Sequence, residues 1–445
     1  MAERMPSSFD LILRGGSVVN HDGVGKRDIG IVDGRIAALG DLARADAGEI
    51  IEAAGLTILP GIIDTQVHFR EPGGEHKEDL ATGSLAAVMG GVTAVFEMPN
   101  TDPNTVDAAT LADKLARARG RMHCDHAFWV GGTAENVAEI PELERLPGAA
   151  GIKVFMGAST GNLLVADDAG VRAILSRTAR RAAFHAEDEF RLRERLDQRR
   201  DGDASSHPLW RDAEAALSAT QRLVRVARET GASIHVLHVS TAEEMQFLAA
   251  HKDIASVEVT PHHLTLSADD YPRLGTRLQM NPPVRDARHR EALWAAVVDG
   301  TADVLGSDHA PHTLDEKARP YPQSPSGMPG VQTLVPVMLD QVARGRLSLL
   351  RFMDMTSAGP ARLFGVTAKG RIAVGYDADL TIVDLQRRAV IADSWIASRC
   401  GWTPYDGLAV TGWPVGTIVR GRRVMWEGEL TAAGLGRPVT FQIRR

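Results

Sequence analysis

Ala182-Ala183-Phe184-His185 opens a unit that runs through residues 213–230 to Ile234-His235-Val236-Leu237-His238. The two short pieces are apolar runs ending on a histidine. The stretch between them is rich in Ala, Leu and Arg and spaces its apolar residues at the helical period. Working outward, the same unit recurs. Strands are predicted around Ile62-Ile63, Ala94-Val95-Phe96, Ala127-Phe128-Trp129-Val130, Ile152-Lys153-Val154-Phe155, Ala182-Ala183-Phe184, Ile234-His235-Val236-Leu237, Ser256-Val257-Glu258-Val259 and Val304-Leu305, with helical stretches such as 111–118 and 169–180 between them. Eight strand–helix units over about 300 residues predict an α/β fold, a closed parallel (β/α)8 TIM-type barrel. The charge-rich, irregular segment 188–210 reads as an exposed crossover. Both ends of the chain have a different texture. Short β-rich pieces, including Phe9-Asp10-Leu11-Ile12-Leu13-Arg14 and Ala378-Asp379-Leu380-Thr381-Ile382-Val383-Asp384, are punctuated by glycine turns. They predict one small composite β-sandwich domain: residues 1–59 its N-terminal part, 60–365 the catalytic barrel, and 366–445 its C-terminal part.

Of the 445 residues, 44% are hydrophobic and 24% charged. Both values are ordinary for a globular chain and exclude a collagen-like, low-complexity or disulfide-dense one. A net charge of −7 supplies no global pull towards nucleic acid or an anionic membrane. The N-terminal octapeptide has no apolar signal core, and no run of about 18 apolar residues occurs. Two cysteines form no framework, so a reducing cytoplasm is the expected compartment. The 15 histidines are the less ordinary feature, many lying beside Asp, Pro or another His.

Catalytic groups of a parallel barrel gather at the C-terminal ends of its strands. Here those ends carry Asp64-Thr65-Gln66-Val67-His68-Phe69-Arg70, Glu97-Met98-Pro99-Asn100, His185, His238, Thr260-Pro261-His262-His263 and Asp308-His309-Ala310-Pro311-His312, with Lys153 inside a strand. His68, His185, His238 and Asp308 are donor types that zinc and similar divalent ions favour. An ammonium inside a barrel strand must be paired, depressed in pKa or modified. The bland alternative for Lys153 is an ion pair with Asp308 or Glu187. His262 and His263 read as hydrogen-bonding neighbours, and Asp64 as a brace for the first strand end. His309 is expected to point away from the site, and His235, by strand parity, to face away from His238.

These motifs, in order, resemble the amidohydrolase superfamily and, within it, the dihydroorotases. The motifs are Val67-His68-Phe69-Arg70-Glu71-Pro72-Gly73, Met98-Pro99-Asn100-Thr101, Lys153-Val154-Phe155-Met156, Val259-Thr260-Pro261-His262-His263, Asn281-Pro282-Pro283 and Ser307-Asp308-His309-Ala310-Pro311-His312. The resemblance implies one or two Zn2+ ions held by His68, Lys153, His185, His238 and Asp308, with Lys153 N6-carboxylated. It implies proton transfer by Asp308, and Arg70, Asn100, Asn281 and His312 as contacts to a small carboxylated cyclic amide. The implied reaction is reversible hydrolysis of L-dihydroorotate in pyrimidine biosynthesis. The alternatives are a hydantoinase-, dihydropyrimidinase- or allantoinase-type hydrolase, or a non-catalytic partner of aspartate transcarbamoylase. Homodimers are common in that family, so a homodimer is the expectation. Two departures stand out. Gln66 occupies a position where the family usually has His, and the 324–330 loop leans towards hydantoinase- or allantoinase-like sequences.

Overall fold

The computed structural model describes residues 8–158 and 163–442; the N-terminal stretch 1–7, read as lacking a signal core, lies outside them. Eight strands form one sheet in strict chain order: β1 Ile62–Val67, β2 Val92–Glu97, β3 Asp125–Gly131, β4 Ala149–Phe155, β5 Ala182–His185, β6 Ile234–Val236, β7 Ala255–Val259 and β8 Val304–Leu305. Every neighbouring pair is parallel. A parallel bridge between Val67 and His309, with the His68 N–H donating to the His309 carbonyl at 2.7 Å, closes the barrel. Helices such as Ala213–Thr230, capped by Asp212 and ended by Gly231 in the left-handed region, return the chain to each next strand.

Inward-facing residues fill the lower barrel. Ile63, Phe96, Trp129, Leu237 and Phe364 belong to one buried cluster. Phe364 meets Phe96 and Trp129 edge to face at 5.9 and 5.5 Å, a geometry that adds to their area burial. This apolar cluster forms the floor beneath the strand ends.

The sandwich is composite, as the sequence predicts. A seven-stranded sheet joins Thr57–Pro60 of the first part to Leu380–Val390 of the last, antiparallel, with Pro60 opposite Leu380 and Thr57 opposite Val383. A four-stranded sheet uses only residues between Phe9 and Glu52. The last described stretch leaves the sandwich and runs beneath the barrel, where Val439 donates to the His126 carbonyl and joins the interior cluster.

The segment 188–210 differs from its reading as an exposed crossover. It folds into short helices, Glu189–Glu194 and His207–Trp210, and buries Glu189 and His207. Arg211 behind it is buried against Glu187, which draws the segment down over the barrel mouth.

At the foot of β3, Asp125, Asp377 and Asp379 converge as a cation site would. Lys369 fills it, 2.7 Å from Asp125 and 3.1 Å from Asp377, and also bonds Asp379; Arg420 bonds Asp125 from the other side. The cluster is therefore an ion-pair lock between barrel and sandwich. Lys369→Met strands buried carboxylates and is expected to cost about 3–5 kcal/mol, read as a lower midpoint in denaturant unfolding. A cost below about 1 kcal/mol, the range of surface pairs, would show that the lock carries no load.

Candidate active site

The strand ends deliver a mixed donor set to one cavity, whose atom-free space, open mouth included, is about 340 Å³. Gln66, His68, Arg70, Lys153, His185, His238, Asn281 and Asp308 line it, with Ser326 and Gly327 from the loop after β8. His185 follows the inward parity of β5. His238, Asp308 and Arg70 reach the cavity differently, with left-handed backbones at φ 37°, 46° and 63°. Such conformations cost about 1–3 kcal/mol each and persist where surrounding structure enforces them.

Two groupings lie side by side. In one, His185 Nδ1 is 3.0 Å from His238 Nε2, and His185 Nε2 is 2.8 Å from Glu187, which Arg211 holds from behind. Such an outer carboxylate fixes an imidazole's tautomer and leaves its other nitrogen as a ligand. In the other, His68 Nε2 is 3.2 Å from Asp308 Oδ1, and His68 Nδ1 is 2.9 Å from Asn100 Oδ1. Gln66 Nε2 donates to the same Asp308 oxygen at 2.9 Å, while Gln66 Oε1 is buried with no partner among the described residues. Burial pulls His68, His185 and His238 below the usual imidazole range, which keeps them neutral, the metal-ligating form.

Lys153 stands between the groupings. It is 1% exposed, and its Nζ has no hydrogen-bond partner among the described residues. Burial pulls its ammonium down to about 7, opposed by Asp308 and Glu258. The pairing of Lys153 with Asp308 or Glu187 is absent: Glu187 serves His185 and Arg211 instead. Below lies Glu258, which accepts from Thr65 Oγ1 at 2.6 Å. Burial raises it to about 8. A Cβ on Gly306 would lie 2.7 Å from this carboxyl, so a larger residue there would push the carboxyl aside.

A second pole lies beside the cavity. Arg70 is 6% exposed, donates from Nε to the Pro311 carbonyl at 3.2 Å, and has no carboxylate at ion-pair distance among the described residues. Its Nη2 lies 3.3 Å from His312 Nε2. Asn281 Oδ1 is 2.8 Å from His207 Nε2. The Ser326–Gly327 wall is held by Lys317, whose Nζ donates to the carbonyls of Pro325 and Gly327 at 2.7 and 3.0 Å and of Gln279 at 3.4 Å. Lys317→Met frees that wall. Its expected effect is a loss of about 1.5–3 kcal/mol in stability, from carbonyls stripped of a charged donor, checked by thermal unfolding.

All nine residues singled out in the sequence therefore lie in or beside one mouth. His309 points away, towards Glu78, and Asp64 braces the first strand end by accepting from Gln66 N and Ser307 N. His263 bonds Thr260 and the Pro282 carbonyl. His235 corrects the parity argument. It also points inward, one layer lower, against Ser256, Glu258 and Phe364. The strand ends at Val236, and the left-handed turn at His238 breaks the alternation. His207, Glu258, Lys77, Glu316 and Lys317 carry no signal in the linear pattern; each supports the site from a loop, a helix or a lower layer.

The chain belongs to the amidohydrolase family, whose model matches residues 57–424. It is 43% identical over 431 residues to a dihydroorotase from Halobacterium salinarum, covering 93% of this chain and 99% of that protein. It is 37% identical over 453 residues to an allantoinase from Rubrobacter xylanophilus, covering 98% of each. Among solved structures, an L-hydantoinase (dihydropyrimidinase) from Arthrobacter aurescens superposes with a TM-score of 0.94 at 32% identity, covering 97% of this chain and all of that one. Among the described residues no helix is long and apolar enough to cross a membrane.

Proposed function

We propose that the chain is a dihydroorotase, opening the ring of L-dihydroorotate to N-carbamoyl-L-aspartate and closing it again. The observation that carries the reading is Arg70, a buried guanidinium that lines the cavity with no carboxylate at ion-pair distance among the described residues. A buried charge needs a counter-charge, and dihydroorotate brings a carboxylate on its ring, whereas hydantoin, dihydrouracil and allantoin bring none. Arg grips a carboxylate with parallel hydrogen bonds. His312 and Asn281 flank it, and Asn100 supports the same mouth through His68.

The donor set fits a divalent metal. His68 Nε2, His185 Nδ1, His238 Nε2 and Asp308 would hold one or two zinc ions, with Lys153, as a carbamate, adding an anionic oxygen donor. The unpartnered Nζ, brought near neutrality by burial, suits that modification: the free amine adds to CO2 and releases one proton. Gln66 offers its orphaned Oε1, a harder and weaker donor than imidazole. When bound, the metal supplies Lewis-acid polarisation of the ring carbonyl and an activated water.

The chain's own residues supply the rest. Arg70 and its neighbours fix the carboxylate, which orients the reacting carbonyl. With Oδ1 engaged by Gln66, Asp308 uses Oδ2 to take a proton from the attacking water. The ring C–N bond breaks, the carbonyl carbon keeps the hydroxyl, and Asp308 returns the proton to the leaving nitrogen. Both cysteines are free and buried, which suits a reducing cytoplasm. A homodimer completes the proposal, to be read from solution mass.

A substrate panel tests the reading. L-Dihydroorotate should exceed dihydrouracil, hydantoin and allantoin in kcat/KM by about 10²-fold or more, since the uncarboxylated rings leave Arg70 unpaired. Faster turnover of any uncarboxylated ring would instead favour the hydantoinase- or allantoinase-type reading, towards which the 324–330 loop leans. A non-catalytic role predicts neither metal nor turnover and leaves the intact donor set without a purpose.

A further inference from the structure

Lys77 has no part in the reaction as proposed, yet it sits on the far side of His312 from the substrate. Its Nζ is 3.1 Å from His312 Nδ1 and 3.0 Å from Glu316 Oε1. An ammonium has three donors and no acceptor, so Nδ1 of His312 has to accept and carries no proton. Nε2 of the same ring lies 3.0 Å from the Ser326 carbonyl oxygen, which only accepts. These two neighbours favour one form of the ring, neutral with its proton on Nε2; Arg70 Nη2, 3.3 Å from the same nitrogen and likewise only a donor, opposes it. Burial, reinforced by Arg70 and Lys77, keeps the ring neutral.

Glu316 pulls the other way. Its Oε2 is 3.7 Å from Nδ1 and would take a proton carried there. It is pinned, because Glu316 also caps the short helix Leu314–Lys317 by accepting from the Thr313 N–H at 3.1 Å. The Trp402 indole N–H fixes the His312 backbone through its carbonyl at 2.7 Å. The ring is therefore held between two competing partners on its Nδ1 side. Lys77 and the Ser326 carbonyl favour the proton on Nε2, Glu316 and Arg70 favour it on Nδ1, and Lys77 tips the balance.

We propose that Lys77 is a positioning residue that, by donating to His312 Nδ1, holds the ring as its Nε2–H tautomer and so keeps a donor aimed at the substrate carboxylate. The Ser326 carbonyl occupies that donor until the carboxylate displaces it. Without Lys77, Glu316 captures the proton on Nδ1, and Nε2 turns a lone pair towards the carboxylate. Attraction becomes repulsion, and the loss falls on binding of carboxylated rings alone. The consequence for the substrate rests on the dihydroorotase reading; the tautomer does not.

The test uses metal-loaded enzyme labelled with 15N-histidine, with His312 assigned by difference from His312→Gln. Long-range 1H–15N spectra of the substrate-free parent should show a protonated Nε2 and an unprotonated Nδ1. Lys77→Met should exchange them, Lys77→Arg should preserve the parent pattern, and Lys77→Met/Glu316→Gln should restore the Nε2–H form. In kinetics, Lys77→Met should raise KM for dihydroorotate about tenfold, the worth of one charge-assisted hydrogen bond, with kcat nearly unchanged. Lys77→Arg should recover most of that loss. An unaltered tautomer in Lys77→Met overturns the proposal, as does a reversed tautomer with an unmoved KM. Should the tautomers behave as stated while no variant opens dihydroorotate, the functional reading fails and the role of Lys77 towards His312 stands.

Discussion

Lys153→Met should leave a protein that folds at least as well as its parent, binds little divalent metal, and opens dihydroorotate at least about 10³-fold more slowly, beyond what loss of one preorganised group removes. The opposite signs on stability and activity follow from one observation. Among the described residues its Nζ has no hydrogen-bond partner, only the Phe155 ring face at 4.4 Å, and burial outweighs the attraction of Asp308 and Glu258, so its charge costs the fold and an apolar side chain of similar length removes that cost. Linkage gives a second readout in metal-free, CO2-free buffer. The folded-state pKa is about 7, below the unfolded value of about 10.4. The unfolded chain therefore binds more protons between those limits. The cost is fully present below pH 7 and fades as pH rises towards 10, so the parent gains stability across that window. Lys153→Met should lack the gain. Unfolding curves at several pH values, with metal content by mass spectrometry, decide the matter. A variant that is destabilised yet keeps its metal would return Lys153 to a structural role.

Asp308→Asn should lower kcat by about 10²–10⁴-fold, the usual span for a group that moves a proton in the transition state. KM for dihydroorotate should change little, because Arg70 and His312 hold the carboxylate from another wall. The substitution is conservative where it needs to be. Asp308 sits at φ 46°, and asparagine tolerates the left-handed region as well as aspartate does, so the backbone should not relax. Lost are the capacity to take and return a proton and the negative charge of one proposed metal donor, so metal content is measured alongside kcat. A kcat within tenfold of the parent would assign the proton to another group.

The barrel was legible because its signal is local: an apolar run, then a polar strand end, repeated. Four of the five ligand-type residues, His68, His185, His238 and Asp308, stood out at strand ends, and Lys153 stood out as an ammonium inside an apolar strand. Failure came where local rules give way. Strand parity misplaced His235 because the backbone turns left-handed at His238. The segment 188–210 read as exposed because its charges are numerous; Glu187 and Arg211, which flank or adjoin it, neutralise each other inside. Lys77, His207, Glu316 and Lys317 were invisible for a deeper reason. Each acts on a partner at the mouth that only the folded chain brings to it, and no spacing within one segment encodes that meeting.

The seam in the sandwich bears on how the molecule is made. Thr57–Pro60 finds its antiparallel partner in Leu380–Val390, roughly 320 residues and, at ribosomal speed, about 20–60 s later. Through that interval the early strand presents a bare edge in the crowded cell, with the base of the barrel still lacking Val439. The sandwich can be closed only once Leu380–Val390 has emerged. Completion of the sandwich therefore waits on a late segment and depends on keeping a waiting edge from pairing with the wrong neighbour.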